Sequence, residues 1–259
     1  MPDGPRSLIT ICHGPTPATV ENAPASLHTP QEGEAHIWYA TLESLRPRAQ
    51  EFAELLDPVE QERAQRFRFD HDRERFILGH GLLRSLLSRY LKRDGSLIRM
   101  ARGPFGKPFL ERKDLRFNMS DTKDAVLVAF THRTEVGADI ETMTRRVDHA
   151  SVAEHYFTAP ELQSILDASG GSDTRSQQKR RFLELWTRKE AVLKASGVGI
   201  MDDLKALRVD GERNTMLITH DAFVKMAAPE YHVITHSIGE DHVISLASPV
   251  AIRRVQFWN

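Results

Sequence analysis

The sequence contains a single cysteine, Cys12, in 259 residues. One thiol excludes an internal disulfide, and it also excludes a zinc site built from cysteines. A chain with so little cysteine suits a reducing compartment, so we expect the protein to be cytoplasmic.

Long apolar runs and a surplus of one charge are also missing. No window approaches the roughly 18 to 20 apolar residues of a spanning helix, and the N-terminus lacks the basic and then apolar layout of a signal peptide. The 35 Lys and Arg nearly balance the 36 Asp and Glu, which leaves a net charge of −1. Without a broad basic field we expect no nucleic-acid partner and no membrane partner, and any polyanionic ligand must be held by a local cluster. We also expect a monomer.

Length and composition predict a folded protein with a sizeable core. Hydrophobic residues make up 40% of the chain, and its length suits one large domain or two of roughly 120 to 130 residues. Residues 1–34 are rich in Pro, Gly, Ala and Thr, which favours a mostly irregular arm. After it, strand, helix and strand patterns occur twice. We therefore predict an N-terminal half over 35–132 and a C-terminal half over 133–259, and the repetition hints at a duplication.

Local patterns place the main elements within these halves. Asp57 followed by proline predicts the start of a helix, and the apolar spacing of 71–92 predicts a long buried one. The apolar run 125–131 has the length of a buried strand. Further expected helices lie at about 148–156, 159–168 and 179–196, and expected strands close the chain at 207–211, 231–238 and 242–248.

A pair of carboxylates stands out in the strand-like stretch "VGADIETM", residues 136–143. Asp139 and Glu141 are two residues apart, so in a strand both side chains point to the same face. Two carboxylates that converge in apolar surroundings repel each other and need a compensating cation. The stretch therefore predicts a positive group beside the strand.

The stretch "FLELWTRKEAVLKASGVG" (182–199) supplies more charged groups on a predicted helix. Trp186, Glu190 and Lys194 follow at intervals of four residues and so share one face. Three carboxylates with water and phosphate oxygens suit magnesium, and a lysine suits a phosphate. Taken singly, each signal has a plainer interpretation: a structural acid pair, a surface salt bridge from Glu190 to Lys194, or a core tryptophan.

Four short motifs, taken together, resemble those of the Sfp-type 4′-phosphopantetheinyl transferases. They are "GKP" (106–108), "FNMSDT" (117–122), "VGADIE" (136–141) and "WTRKEAVLK" (186–194), and "DRERFILGHGLLRS" lies upstream of them. The resemblance spans about residues 36 to 250. It implies an α+β fold with a pseudo-twofold duplication, in which two similar halves enclose the active site in the cleft between them.

The same resemblance implies a reaction and its partners. The enzyme would transfer 4′-phosphopantetheine from coenzyme A to a serine of an acyl or peptidyl carrier protein and release adenosine 3′,5′-bisphosphate. Mg²⁺ would be the cofactor and coenzyme A a substrate. Fatty-acid, polyketide and nonribosomal-peptide synthesis all remain open as the pathway served.

The resemblance also assigns roles by position. Magnesium would be held by Asp139, Glu141 and Glu190. Lys194 would contact the pyrophosphate of coenzyme A, Arg75 and Arg63 its 3′-phosphate, Gly106, Lys107 and Pro108 its adenine end, and Ser120 its phosphates. For both arginines the alternative interpretation is a solvated helix face.

Two points of the assignment stay open. The base for the attacking serine is either Glu190, through a metal-bound water, or Glu161 in "FTAPEL". Glu161 has a structural alternative as the first-turn acid of a helix capped by Thr158. In addition, Asp121 stands where the family usually has histidine, so Lys123 or His132 could supply the missing charge, or Asp121 could turn away from the phosphates.

Other functions and a docking surface complete the sequence-based hypotheses. A magnesium-dependent nuclease or phosphoesterase also uses clustered carboxylates, but it normally has a basic groove. An inactive scaffold that binds a carrier or nucleotide is the non-enzymatic alternative. For the carrier we expect docking at 144–157, where Arg145 and Arg146 lie beside Val147 and Val152, unless this stretch is only a solvated loop.

Overall fold

A computed structural model of the protein describes residues 4–145, 149–168, 173–199 and 204–259. The strands in these ranges are β1 (Arg6–Pro17), β2 (Glu34–Thr41), β3 (Ala101–Arg102), β4 (Pro108–Phe109), β5 (Leu115–Asp121), β6 (Ala125–His132), β7 (Gly137–Thr142), β8 (Arg213–Ile218), β9 (Glu230–Ile238), β10 (His242–Ser248) and β11 (Arg254–Trp258). The helices are α1 (Leu42–Leu45), α2 (Ala49–Leu55), α3 (Pro58–Gln65), α4 (Asp70–Leu91), α5 (His149–Tyr156), α6 (Ala159–Leu166), α7 (Thr174–Ser196) and α8 (Asp221–Met226).

Two main sheets form the centre of the molecule. One has the strand order β7-β10-β9-β1-β8, and the other has the order β11-β2-β6-β5. The long helix α7 packs on the first sheet, and the long helix α4 packs on the second. This is the predicted α+β fold of two similar halves, each with one sheet and one long helix.

Strand β6 shows why the sheets lie face to face. Its residues Ala125–Thr131 are all buried, because alternate side chains point to opposite faces and both faces are covered. Val126, Val128 and Phe130 pack in the cluster that contains α4. The alternate residues Ala125, Leu127 and Ala129 point to the other face and pack with Ile140 of β7 in a core shared by both sheets. The carboxylate-bearing strand is thus fixed at the junction of the halves.

The first strand corrects part of our prediction of a mostly irregular arm over 1–34. Residues Arg6–Pro17 form β1, which lies between β9 and β8, parallel to the former and antiparallel to the latter. Leu8, Thr10 and Cys12 are buried at intervals of two residues. This alternation is present in the sequence, but the prolines and glycine that follow it obscured the pattern.

The chain ends cross between the halves. Strand β1 lies in the sheet of the C-terminal half, while β11 pairs in parallel with β2 in the other sheet. The boundary near residue 133 stays a prediction. It does not describe the end strands, because β1 and β11 each lie in the sheet of the opposite half.

The predicted helices occur with shifted ends. Asp57 caps α3 in a capping box with Glu60, and Thr158 caps α6 in the same way with Glu161. Helix α7 begins at Thr174 rather than near 179, because Asp173 accepts a hydrogen bond from the backbone of Ser176. The strand expected at 207–211 is wrong, since the strand lies at Arg213–Ile218 instead.

Within the described ranges, none of the helices combines the length and the apolar character needed to cross a membrane.

Candidate active site

Strand β7 and helix α7 meet at unusually close range at Gly137. A Cβ atom at this position would lie 1.9 Å from the carbonyl oxygen of Ala191 and 2.3 Å from the amide nitrogen of Ala195. Only glycine permits this contact, because real Cβ atoms do not approach backbone atoms so closely. The contact brings the α7 segment that carries Glu190 and Lys194 directly beside the strand that carries Asp139.

Three of the predicted residues meet in one hydrogen-bonded cluster. The Lys194 ammonium donates to Asp139 Oδ1 at 2.6 Å and to Ser120 Oγ at 2.9 Å, and the Ser120 hydroxyl donates to Asp139 Oδ1 at 2.8 Å. Asp139 and Ser120 are each only 6% exposed. The other oxygen, Asp139 Oδ2, is buried and has no hydrogen-bond partner among the residues that the structure describes. A buried carboxylate oxygen without a partner is costly, so this atom is a natural place for a cation.

The two other acids of the predicted magnesium site are electrostatically crowded. Burial, together with the negative charge of Asp139, raises the pKa of Glu141 to about 7 and that of Glu190 to about 6. Arg145 pairs with Glu141, and Lys194 pairs with Asp139. Because burial is the larger cause and the charge of Asp139 adds to it, a cation bound here would lower both pKa values.

The donor set therefore fits a divalent cation with a preference for oxygen ligands. The three acids do not yet converge tightly, however. In the described part of the chain, only His28, Glu34 and His36 each bring a ligand atom within 4.8 Å of the others. The pairing of Glu141 with Arg145 is consistent with this wider spacing, because the guanidinium occupies one side of that carboxylate.

Asp121, which stands where the family usually has histidine, forms an ion pair with Arg75, a residue predicted to bind phosphate. Its Oδ2 accepts from Arg75 Nε at 2.9 Å, and Arg75 also donates to Asp72 at 2.9 Å. Burial raises the pKa of Asp121, while the charge of Arg75 opposes that shift. The compensating cation is thus neither of those considered from the sequence: Lys123 donates to the carbonyl of Thr144.

His132 lies at the opposite end of the strand pair. It faces Leu115, whereas Asp121 faces Val126. Strand register therefore keeps this imidazole away from Asp121.

A cavity of about 350 Å³ collects Arg63 and Pro108. Arg63 is exposed, and its guanidinium lies over the ring of Phe76, 5.1 Å from the ring centre. The remaining lining residues are Asp57, Val59, Glu60, His80, Leu83, Met100, Arg102, Asn118 and Met119. The cavity is therefore lined by Arg63, which is predicted to bind the 3′-phosphate, and by Pro108, which is predicted to contact the adenine end of coenzyme A.

Lys107 and Gly106 have different surroundings. The Lys107 ammonium donates to Glu135 at 2.8 Å and to the carbonyl of Val136 at 3.1 Å. It therefore joins the loop of the first half to the residues that lead directly into β7. Gly106 lies in a turn with a φ of 83°, a backbone conformation that favours glycine.

The structure contradicts the role of Glu161 as a base. Its side chain is 0% exposed, and both carboxylate oxygens are engaged. One accepts from the backbone of Val209 at 3.0 Å, and the other accepts from Thr158 and pairs with the buried Lys189 at 2.8 Å. An enclosed and fully bonded carboxylate cannot reach an external hydroxyl, so the capping interpretation is the correct one.

Asn118 is a site residue that the sequence reasoning missed. Its Oδ1 accepts from the backbone of Ala138 at 2.8 Å, next to Asp139. This bond joins β5 to β7 and fixes Ser120 relative to Asp139 across the two halves. The signal was present in "FNMS", where Asn118 is buried and points to the same face of β5 as Ser120.

Comparisons with known proteins identify the family. A family model described as "4′-phosphopantetheinyl transferase superfamily" matches residues 135–247, and one described as "4′-phosphopantetheinyl transferase, N-terminal" matches residues 43–133. The 4′-phosphopantetheinyl transferase HetI of Nostoc sp. is 33% identical over 174 residues, which cover 64% of this chain and 70% of that protein. The chain belongs to the 4′-phosphopantetheinyl transferase superfamily.

Other members show the same degree of similarity. The 4′-phosphopantetheinyl transferase Sfp of Bacillus subtilis is 29% identical over 72% of this chain and 79% of that protein. A putative 4′-phosphopantetheinyl transferase of Synechocystis sp. is 30% identical over 67% of this chain and 69% of that protein. The Sfp-type resemblance is confirmed, and the chain is an enzyme of the 4′-phosphopantetheinyl transferase class.

Proposed function

We propose that this 4′-phosphopantetheinyl transferase modifies a serine of an acyl or peptidyl carrier protein, with coenzyme A as donor and Mg²⁺ as cofactor. The observation that carries the proposal is the buried cluster of Ser120, Asp139 and Lys194. It combines a carboxylate oxygen that lacks a partner in the described part of the chain with a cation and a hydroxyl, both suited to phosphate oxygens. Phosphoryl transfer depends chiefly on such positioning and charge neutralisation.

Asp139, Glu141 and Glu190 are the proposed ligands of the metal. The raised pKa values of Glu141 and Glu190 support a divalent ion at this place, as does Asp139 Oδ2, which has no hydrogen-bond partner among the described residues. When bound, Mg²⁺ would supply positive charge that neutralises the pyrophosphate oxygens and favours the departure of adenosine 3′,5′-bisphosphate. Glu141 would have to leave Arg145 at least in part in order to bind the ion.

The phosphate-binding groups of the chain follow from their surroundings. Lys194, already held by Ser120 and Asp139, would donate to the pyrophosphate, and Ser120 would add its hydroxyl. Arg75 would bind the 3′-phosphate from its position beside Asp121. The cavity with Arg63 and Pro108 would receive the adenine end, while Lys107 shapes the loop rather than contacting the base.

Glu190 remains the proposed base for the attacking serine. It would act through a metal-bound water, because its own carboxylate is a proposed ligand of the metal. Its place on α7, one turn before Lys194, puts the proton acceptor beside the group that neutralises the phosphate. Glu190 would therefore serve both the metal and the proton.

The carrier would dock near the end of β7. Arg145 directly follows this strand region and is 43% exposed, and Val152 lies partly buried on α5. Arg146 and Val147, the other members of the predicted surface, lie outside the described residues. Arginines near the metal strand suit an acidic carrier, and their effect would fall mainly on association.

The deciding experiment is mass spectrometry of apo carrier proteins incubated with the enzyme, coenzyme A and Mg²⁺. We expect one phosphopantetheine to be added to one serine of at least one carrier, and we expect the addition to stop when a chelator removes the metal. A Ser-to-Ala carrier is the control for the acceptor. Full activity in the presence of chelator would refute the metal assignment, and failure with carriers of all three pathways would refute the proposed substrate class.

A further inference from the structure

A second cluster of metal-binding side chains lies away from the carboxylates of β7 and α7. His28, Glu34 and His36 each place one ligand atom within 4.8 Å of the other two. Glu34 and His36 open strand β2, where they are 6% and 0% exposed, and His28 lies on the exposed segment that leads into it. From this geometry we infer that the three residues bind a divalent transition-metal ion, with zinc as the first candidate.

The hydrogen bonds of His28 leave the required nitrogen free. Its Nδ1 lies 2.9 Å from the carbonyl oxygen of Thr29. A carbonyl oxygen can only accept, so Nδ1 carries the proton and Nε2 keeps the lone pair of the neutral ring. Metal-binding histidines are typically oriented by such a bond from the other ring nitrogen.

His36 is oriented in a similar way from the opposite side. Its Nδ1 lies 2.9 Å from the hydroxyl of Tyr90, which also accepts from Trp38 Nε1 at 3.0 Å. Because the Tyr90 oxygen accepts from Trp38, its hydroxyl proton can be donated to His36 Nδ1, and His36 Nε2 is then directed toward Glu34 Oε2. A metal ion bound between His36 and Glu34 would replace the proton on Nε2, as metal binding to imidazole generally does.

The spacing and chemistry of the atoms fit one ion. His36 Nε2 and Glu34 Oε2 are 3.6 Å apart, close to the separation of roughly 3.3 to 3.5 Å expected for two ligands about 2.1 Å from one tetrahedral zinc. Glu34 Oε2 is held by the backbone N–H of Gln31 at 2.9 Å. Two imidazoles and one carboxylate favour zinc and its neighbours over magnesium, which prefers oxygen ligands only.

A metal bound by these residues would fasten the segment between β1 and β2 to the sheet that contains β2. Residues 18–33 run from β1 in one sheet to β2 in the other, and His28 lies within them. The His28 ring also contacts His36 edge to face, with ring centres 5.2 Å apart. The ion would therefore fasten an exposed crossing segment to a buried strand.

The test is isothermal titration of zinc into untagged protein, with excess Mg²⁺ present to occupy the carboxylates of β7 and α7. We expect one zinc per chain, and we expect His28→Ala to weaken binding by at least about tenfold, as does loss of even an outer-shell partner. Glu34→Gln, which keeps an acceptor for Gln31, should weaken zinc binding similarly. His13→Ala, on the exposed part of β1, is the matched control and should bind as the wild type does.

Cobalt provides a second readout that does not depend on affinity alone. Co²⁺ bound by His28, Glu34 and His36 in a tetrahedral site should give strong visible absorption, and His28→Ala should remove it while circular dichroism stays unchanged. Because His28 is exposed, its replacement does not threaten the core, unlike replacement of the buried His36. Equal zinc binding by wild type and His28→Ala, or no uptake of zinc by the wild type, would overturn the inference.

Discussion

At the scale of the residue, Asp139 is the side chain on which the proposed chemistry most depends. Replacing it with alanine removes the partner of Lys194 and a proposed metal ligand, so we expect kcat/KM to fall by roughly 10³-fold. Circular dichroism should show a folded protein. Asp210→Ala, which removes a carboxylate paired with Arg208, is the control and should leave activity near that of the wild type. Near-normal turnover of Asp139→Ala in Mg²⁺ would refute the site.

Asp121 allows a second test at this scale, because it competes with a phosphate for Arg75. Both side chains are about one third exposed, and exposed ion pairs contribute only about 0.2 to 1 kcal/mol. Asp121→Asn should therefore tighten coenzyme A by about two- to fivefold, which corresponds to the upper part of this range. Dephospho-coenzyme A, which lacks the 3′-phosphate, should bind equally to both proteins in isothermal titration. An equal change for both ligands would show that Asp121 does not act through that phosphate.

The residue scale also shows where sequence reasoning ends. Strand and helix periods place Asp139 with Glu141, and Glu190 with Lys194, on shared faces, whereas the assignment of the three acids to one metal came from the family resemblance and stays a proposal. The partner of Asp121 could not be, since Arg75 lies 46 positions earlier on another element. Asn118 was missed because its position on the Ser120 face of β5 does not by itself reveal that its amide oxygen accepts from the backbone of β7.

At the scale of the element, the contact of β7 with α7 decides whether the site assembles. Gly137→Ala would force a Cβ atom into Ala191 and Ala195, so we expect a loss of about 1 to 3 kcal/mol in unfolding free energy and a fall in activity as α7 shifts. Gly79→Ala on α4 is the matched control. Its Cβ would meet its nearest neighbours at an ordinary 3.7 Å and should stabilise the helix by up to about 1 kcal/mol. Equal effects of the two variants in urea unfolding would contradict this account.

Helix α6 provides another prediction, which separates structure from catalysis. Glu161 caps this helix and is fully buried with Lys189, so Glu161→Ala should cost about 3 to 5 kcal/mol of unfolding free energy. The activity per folded molecule should stay close to that of the wild type at a temperature where the variant is folded. A stable protein that has lost turnover would instead restore Glu161 as a base. Thermal unfolding and transfer kinetics on the same sample distinguish these outcomes.

Element positions were predictable where capping and periodicity agree. Asp57 and Thr158 signalled their helices, because an acceptor before a proline satisfies the first free N–H groups. The strand β8 was misplaced because the buried Leu207 and Val209 alternate like a strand although they lie in an irregular segment. Burial alone cannot distinguish such a segment from a strand that pairs with β1.

At the scale of the whole molecule, the exchange of end strands joins the two halves. Each sheet contains a strand from the far end of the chain, and Lys107 adds a contact between the loop of one half and the start of β7. A duplication could be suspected from the order of patterns along the chain. The exchange could not, because strand pairing between distant residues is decided by tertiary packing rather than by local sequence.

Removal of β1 tests this joint directly. An irregular arm would be dispensable, whereas β1 lies inside the five-stranded sheet, between β9 and β8. Deleting residues 1–17 should expose the edges of both neighbours and uncover the core around Leu8 and Cys12, so we expect insoluble or unfolded protein. Deleting only residues 1–5, which precede the strand, is the control and should leave the melting temperature nearly unchanged. If the longer deletion also yields a soluble protein with normal melting and transfer activity, β1 contributes no essential pairing, and the halves are held together by their shared core alone.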